Sequence, residues 1–179
     1  MSIQAGTHRL GPENATLAVH TGRKGAAAKA GHDLVMHVTS WEATLELAND
    51  PESTSMELSA DSTSLRVQKG TGGIQALGDD EKASIHQTID DEVLKRQDIA
   101  FRSTNVQGAA DGSRLSVKGD LTLAGKANPV DFELVIGDDG TLSATSVVKQ
   151  TDWGVKPYSA LFGALKVHED VEVVLDGHL

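Results

Sequence analysis

The sequence contains no cysteine among its 179 residues, and this absence removes several kinds of site at once. A disulfide scaffold, a thiolate zinc site and a cysteine nucleophile all need the missing side chain. Aromatic residues are scarce as well, at 3% of the chain. The core must therefore be built mainly from Val, Leu, Ile and Ala, and an interior tightly filled by aromatic rings is not expected.

A strong basic patch and a long apolar run are also missing. The formal net charge is -10, and basic residues come no denser than pairs such as Arg23-Lys24. Nucleic acid is repelled by such a field, so no nucleic-acid partner is expected. The same charge argues against adhesion to an anionic membrane surface. No window approaches the length that crosses a bilayer, so no stable membrane insertion is expected either.

The N-terminal stretch Met1–His8 has neither the basic nor the apolar region of a secretory leader. We therefore expect a soluble, cytoplasmic protein. The length suits one domain with a sizeable core, and all-β barrels of this size usually stay undivided. We treat residues 1–179 as a single domain.

Apolar and polar residues alternate with period two over much of the chain, which predicts half-buried β-strands. In the first half, apolar residues fall on even positions over Leu34–Val38 and on odd positions over Trp41–Leu47. The switch at Thr39-Ser40 predicts a bulge or bend. In the second half, odd positions are apolar over Leu115–Leu123 and even positions over Val130–Ile136. Turn signals separate the runs at Asn49-Asp50-Pro51, Asp111-Gly112, Asn128-Pro129 and Asp138-Asp139-Gly140.

One segment departs from this alternation and indicates a helix. Ile85, Ile89 and Val93 recur at helical spacing. Acids at 79–81 begin the segment and Lys95-Arg96 end it, which suits the helix dipole and lets the Asp side chains cap free N–H groups. We expect one amphipathic helix from about residue 80 to about residue 94. With about eight antiparallel strands, the pattern predicts an all-β fold closed into a barrel.

Several stretches resemble the YceI-like family of polyisoprenoid-binding proteins. Ile99–Val106 matches the strand pattern I-x-F-x-S-T-x-V, and Gly119–Val130 matches G-x-L-T-L-x-G-x-x-x-P-V, two strands joined by a short turn. Thr151–Val155 corresponds to an aromatic-glycine-aliphatic turn, and Asp61–Leu65 is a weaker match. Two features depart from the family: there is no leader, and Ile85–Leu94 replaces a stretch with Leu-Arg and Phe-Phe pairs. These departures suggest a divergent cytosolic subgroup.

The resemblance implies a lipocalin-like β-barrel with an apolar tunnel for a long-chain isoprenoid, often one with a quinone or phosphate head. The expected function is binding, sequestration or transport of an isoprenoid or another long-chain lipid, with no enzymatic activity and no cofactor. The bulky residues that are candidates for the ligand-binding lining, each of which also suits plain barrel core, are Phe101, Leu121, Leu123, Phe132, Trp153, Tyr158 and Phe162.

Polar residues near strand ends are candidates for contacts with a ligand head. His32, beside Gly31 at a strand start, offers a hydrogen-bonding group whose charge responds near neutral pH. Arg23, Lys24 and Lys156 offer cations for a phosphate, although solvated loop charges look the same in sequence. No metal is expected, because the histidines show neither His-Glu-x-x-His nor an i, i+4 helical pair. The histidines considered as metal ligands are His8, His20, His32, His37, His86, His168 and His178.

Two other readings of the same residues stay open. His32 and Asp33 are an acid/base pair for a lipid isomerase or cyclase if both reach the ligand. Alternatively, the helix face Ile85-Ile89-Val93 or a barrel edge makes a homodimer, and the domain is an interaction module without a ligand.

Overall fold

A computed structural model describes residues 4–109 and 111–179. Met1, Ser2 and Ile3, which belong to the N-terminal stretch Met1–His8 that lacks leader features, lie outside the described residues, as does Ala110. The strands are β1 Gly6–Leu10, β2 Ala15–Thr21, β3 Arg23–Lys24, β4 His32–Val38, β5 Trp41–Leu47, β6 Ser55–Ala60, β7 Leu65–Gly72, β8 Ile99–Gly108, β9 Arg114–Leu123, β10 Lys126–Ile136, β11 Thr141–Lys149, β12 Ser159–Ala160, β13 Leu165–Val167 and β14 Asp170–His178.

The helix between β7 and β8 is α1, Asp79–Thr88, and one π-helical segment, Ile89–Val93, extends it. The amphipathic helix expected over about 80–94 is therefore present. Its cap differs from the prediction, because Gly78 rather than an Asp occupies the N-cap position. The Gly78 N–H donates to Oε2 of Glu81 over 2.7 Å, and the acids of the first turn act on the helix dipole instead. Short 3₁₀ turns lie at Ala28–Ala30, Pro51–Ser53, Ser62–Ser64, Gln150–Trp153 and Leu161–Gly163.

Within the described residues, eleven strands form one antiparallel sheet in the order β1-β5-β6-β8-β9-β10-β11-β14-β2-β4-β7. The all-β, antiparallel fold expected from the alternation is confirmed, with more strands than the expected eight or so. The number is higher because long strands bend and each half counts as a separate strand. The successive halves are β1 and β2, β4 and β5, and β6 and β7.

The bend at Thr39-Ser40 closes the sheet. β4 pairs with β2 and β7, whereas β5, which follows directly, pairs with β1 and β6. The bend between β4 and β5 stays joined to the connection between β6 and β7, because Thr39 N–H donates to Ser64 O (2.9 Å) and Asp61 N–H donates to Ser40 O (3.0 Å). The bend that the parity switch predicts is therefore present, and it allows the sheet to close into a barrel.

The hairpin β9–β10 corrects one turn prediction. Asn128 and Pro129 lie inside β10, where Pro129 pairs with Asp120, and not in a turn. The turn is formed instead by Ala124 and Gly125, both with positive φ (48° and 78°), between paired Leu123 and Lys126. A two-residue hairpin turn of this kind needs left-handed backbone, which glycine adopts freely.

The barrel is filled at one end and hollow at the other. In β9 and β10, the half near the β8–β9 and β10–β11 turns packs Leu115, Val117, Leu134 and Ile136, each at most 1% exposed. The apolar residues of the same parity nearer the β9–β10 turn are only half-buried: Leu121, Leu123, Val130 and Phe132. The parity in the sequence therefore continues along each strand, while the packing density inside the barrel changes.

A small second sheet stands beside the hollow end. It joins β12, β13 and β3 in that order, with Ser159 opposite Lys166 and Lys166 opposite Lys24. No helix in the described ranges is long and apolar enough to cross a membrane.

Candidate functional site

The hollow end of the barrel is a cavity of about 510 Å³. Leu121 and Leu123 of β9 and Val130 and Phe132 of β10 form one wall. They line it because each strand places alternate side chains on its inner face. Most of the other walls are also aliphatic, formed by Leu17, Val19, Leu34, Met36, Ala144, Val148, Val171, Val173 and Leu175. The scarcity of aromatic residues leaves this space open, since short aliphatic side chains do not reach across it.

Helix α1 and its π-helical extension cover one side of the cavity. Ile85, Ile89 and Val93, the apolar face recognised in the sequence, point into it. This face packs against the barrel core, so it is not available as a subunit interface. The helix also touches the adjacent strand directly, because the Val67 N–H donates to Nε2 of His86 over 3.0 Å.

Two aromatic rings meet within the cavity wall. The ring centroids of Phe101 and Phe132 are 5.5 Å apart at an angle of 53°, a tilted arrangement that aromatic pairs favour. Gly119 of β9 makes room for the pair, since a Cβ there would lie 2.6 Å from the Phe101 ring. The rings lie where the filled half of the barrel gives way to the hollow half.

Polar side chains gather where the cavity opens. Arg23, His32, Tyr158 and Lys166 all line it. The guanidinium of Arg23 donates to Gly31 O, and its Nε lies 3.6 Å from Oδ1 of Asp33. Oδ1 of Asp33 also accepts the Arg23 N–H at 3.0 Å. These contacts hold a cation in place at the edge of an apolar space.

His32 and Asp33 do not converge on the cavity. They are consecutive residues of β4, so their side chains leave opposite faces of the strand. His32 lines the cavity, whereas Asp33 binds Arg23 and is not part of the lining. Nε2 of His32 lies 2.7 Å from Gln75 O, and because a carbonyl only accepts, this nitrogen is the donor. Nδ1 is therefore left as the acceptor in the neutral ring.

The helix that covers the cavity carries one histidine whose pKa is shifted. Burial lowers the pKa of His86, and Arg66 and Lys82 act in the same direction against Asp90. Over the described part of the chain, no group of three or more His, Cys, Asp or Glu residues is arranged to hold a metal ion.

A family model described as YceI-like domain matches residues 13–179. The chain belongs to the YceI-like domain family. A search of curated proteins found no match. Among solved structures, BcnA from Burkholderia cenocepacia is similar, with a TM-score of 0.63, 16% sequence identity, and coverage of 90% of this chain and 94% of that chain.

A YceI protein from Campylobacter jejuni is also similar, with a TM-score of 0.55, 15% identity, and coverage of 78% of this chain and 80% of that chain. At these identities, the likeness shows a shared fold. The family resemblance seen in the sequence motifs is confirmed, and so is the lipocalin-like barrel class.

The YceI-like domain brings most of the expected site residues together. Seven of them line the cavity: Arg23, His32, Phe101, Leu121, Leu123, Phe132 and Tyr158. The other four lie elsewhere, for different physical reasons. Trp153 is buried in a separate cluster with Val148 and Val155, where its indole N–H donates to Leu121 O over 2.7 Å. Its ring packs behind the cavity wall and does not form part of the lining.

Phe162, Lys24 and Lys156 also lie outside the lining. Phe162 is fully exposed in a turn with positive φ (55°). Lys24 pairs with Glu169 at 2.7 Å, and this hydrogen bond holds the pKa of the Glu169 carboxyl below its ordinary value. Lys156 is an exposed residue in the irregular segment that precedes β12.

The lining residues that sequence reasoning missed are mostly aliphatic. Val171 and Val173 of β14 and Leu34 and Met36 of β4 carry the alternation, but alternation alone does not distinguish a hollow barrel segment from a filled one. The helix residues Ile85 and Ile89 carried a signal too, since an amphipathic helix beside a barrel buries its apolar face somewhere.

Proposed function

We propose that this YceI-like domain binds one hydrophobic chain with a polar head, an isoprenoid or another long-chain lipid, and sequesters or carries it. The observation that supports this most is the apolar cavity of about 510 Å³ at the hollow end of the barrel. Small-molecule sites typically have this size and this mixture of an apolar lining with a few polar groups. Each buried CH₂ group of the ligand contributes about 0.8 kcal/mol.

The arrangement of polar groups suggests how such a ligand lies. The chain passes along Leu121, Leu123 and Phe132, and the head stays at the opening near Arg23 and His32. Arg23 suits an anionic or carbonyl head, since a guanidinium presents several donors in a fixed plane. Tyr158 adds an O–H group beside an apolar stretch.

Binding without turnover suits these groups better than catalysis. An acid/base mechanism on His32 and Asp33 needs both side chains to reach the same ligand atom. Asp33 instead accepts two contacts from Arg23 and stays outside the lining. Its carboxylate orients the cation at the opening.

Mass spectrometry of an organic extract, with native mass spectrometry of the gently purified protein, tests the proposal. We expect one amphipathic species in a one-to-one complex. Ala144→Trp fills the cavity from β11 and should abolish both the complex and uptake of cis-parinaric acid. The matched control is Ala100→Trp, which adds the same ring at an exposed position of β8 and should retain both.

An empty wild-type protein that also takes up no cis-parinaric acid would overturn the proposal. Equal uptake by Ala144→Trp and wild type would do the same, because the bound molecule would then lie outside the cavity.

A further inference from the structure

A lobe beside the cavity opening has a composition unlike the rest of the chain. We call it the mouth lobe, residues 22–31 and 154–168, which contain β3, β12 and β13. Its two segments are joined by the Ala27 N–H, which donates to Ala164 O over 2.8 Å. Gly31, Tyr158 and Leu165 of the lobe line the cavity. Any surface that contacts the mouth lobe therefore lies next to the opening.

The charge of the mouth lobe opposes that of the whole molecule. Arg23, Lys24, Lys29, Lys156 and Lys166 all belong to it, and it contains no Asp or Glu, whereas the whole chain carries a net charge of -10. Four acids lie within two residues of the lobe in sequence. Asp33 and Glu169 pair with Arg23 and Lys24, whereas Asp152 and Asp170 are exposed and form no ion pair among the described residues.

The other three cations of the lobe are free to meet an outside partner. In the part of the chain that the structure describes, Lys29, Lys156 and Lys166 form no ion pair. All three are exposed. The lobe therefore presents unneutralised positive charge from two different chain segments.

The tip of the mouth lobe is apolar and exposed. Leu161 is 58% exposed and Phe162 is fully exposed, and Tyr158 nearby is 48% exposed. Leu161 and Phe162 also adopt positive φ angles of 51° and 55°. For residues other than glycine, left-handed backbone is unfavourable because the Cβ atom crowds the backbone carbonyl. The fold thus accepts strain while holding two large apolar side chains in water.

We propose that the mouth lobe docks this domain on an anionic lipid bilayer, with Leu161 and Phe162 entering the interfacial layer and the cavity opening facing the membrane. Basic side chains around an apolar tip are the combination that binds such a surface, since cations attract the lipid phosphates and apolar groups enter between them. The acidic remainder of the molecule points away, and salt screens its repulsion over about 8 Å.

The lobe favours a bilayer over a second copy of this chain. A copy of this chain carries the same net charge of -10, and two mouth lobes facing one another would bring like charges together. The proposal rests on the proposed function only for its purpose, the exchange of a lipid with a membrane. Docking itself is measured on the protein without added ligand.

Flotation with vesicles tests the docking. We expect the wild-type protein to float with vesicles of equal parts phosphatidylcholine and phosphatidylglycerol, far less with phosphatidylcholine alone, and less at high ionic strength. Lys29→Glu/Lys156→Glu should weaken binding at least tenfold, because each cation near the surface contributes about 1 kcal/mol. The control Lys95→Glu/Lys118→Glu makes the same change in net charge at exposed positions outside the lobe.

The apolar part of the contact is tested by Phe162→Ser, which should weaken vesicle binding about tenfold. Its control is Val147→Ser, which removes an apolar side chain that is 63% exposed on β11. Both variants should retain cis-parinaric acid uptake, so a failure of docking is distinguishable from a failure of ligand binding.

Three results would overturn the proposal. The first is equal flotation with neutral and anionic vesicles, and the second is flotation of the two lobe variants at the wild-type level. The third is a wild-type dimer in analytical ultracentrifugation that Phe162→Ser converts to a monomer, because the tip would then be a subunit contact.

Discussion

The backbone N–H of Val67 in strand β7 donates to Nε2 of His86 in helix α1 over 3.0 Å, and this bond ties the helix that covers the cavity to the barrel. The imidazole accepts only when that nitrogen carries no proton. Burial lowers the pKa of His86 from its ordinary 6.5, and Arg66 and Lys82 lower it further against the opposing effect of Asp90. The neutral, accepting ring is thus the form that suits the fold.

We predict that the free energy of unfolding falls as pH drops below about 6.5. The unfolded chain takes up a proton on His86 near its ordinary pKa, whereas the folded chain takes it up only at lower pH. Above pH 6.5, both states hold the neutral ring and the difference vanishes. Urea titrations of the wild-type protein and His86→Gln between pH 7.5 and 5.5 measure this, because a glutamine carbonyl accepts from Val67 without titrating.

The comparison isolates His86 from the carboxylates. The pKa values of Asp61, Asp111 and Asp139 are held below the ordinary 3.8, mainly by hydrogen bonds from Thr63, Ser113 and Thr141. Their contribution is lost only as the pH falls through that more acidic range, and it is the same in both proteins. Parallel pH profiles for wild type and His86→Gln would show that the bond to Val67 is not pH-dependent.

Leu134 and Leu121 should respond differently to the same truncation. Leu134 is 0% exposed in the filled half of the barrel. Leu134→Ala should lower the free energy of unfolding by about 2–5 kcal/mol, because the packed neighbours cannot close the gap. Leu121 lines the cavity, so Leu121→Ala extends an existing space and should cost about 1 kcal/mol in the ligand-free protein.

The two variants also separate stability from binding. Leu134→Ala should keep cis-parinaric acid affinity at the wild-type level, whereas Leu121→Ala should weaken it, because the ligand loses a contact. Urea unfolding and fluorescence titration measure the two quantities. Equal stability losses in both variants would mean that the cavity half is packed as densely as the filled half.

The strands and the barrel were predictable from sequence because parity is a local property. The odd positions of Leu115–Leu123 and the even positions of Val130–Ile136 all face the interior, as the alternation indicated. The turn was misplaced for a local reason too. Asn128-Pro129 is a strong turn signal, but Pro129 is accommodated in β10 and Ala124-Gly125 forms the turn. The pairing register along the whole β9–β10 hairpin places the turn at Ala124-Gly125 and not at Asn128-Pro129.

The site was less predictable, because it depends on the course of the chain between the strands. Trp153 and Phe162 are both aromatic residues in short 3₁₀ segments, where no alternation indicates a direction. One packs behind the wall and the other projects into solvent. Likewise, Arg23 and Lys24 are neighbours with the same charge, and only the strand direction sends the first toward the cavity.

Gly119 should prove necessary for the position of the Phe101 ring. A Cβ at this site would lie 2.4 Å from Arg102 O and 2.6 Å from two atoms of the ring. Gly119→Ala should therefore lower the free energy of unfolding by about 1–3 kcal/mol and weaken ligand binding, since the ring must move toward the cavity. Thermal unfolding and cis-parinaric acid titration measure the two effects.

A second substitution tests the cause of the Gly119→Ala effect. Phe101→Leu removes the ring that the new methyl group would strike. The double variant should be more stable than the sum of the two single losses implies, because the clash with the ring is gone while that with Arg102 O remains. Additive losses would show that the methyl group acts on the backbone alone.

The head group of the ligand is tested most directly through Arg23. Its guanidinium lines the cavity opening and is held by Gly31 O and Asp33. Arg23→Met keeps most of the side-chain length and removes the charge. If the bound head is anionic, this change should weaken cis-parinaric acid binding about tenfold or more, because a charged hydrogen bond contributes about 1.5–3 kcal/mol. The corresponding uncharged alcohol should lose much less.

Lys24→Met is the matched control for Arg23→Met. Lys24 is the next residue of the same short strand, and its Nζ pairs with Glu169 outside the lining. Lys24→Met removes the same unit of charge from the neighbouring residue, so a loss confined to Arg23→Met reports direct contact and not the general field. Unchanged affinity for both acid and alcohol in Arg23→Met would mean that the head does not reach Arg23. A polar but uncharged head, such as a quinone placed near His32 and Tyr158, would then be the better description of the ligand.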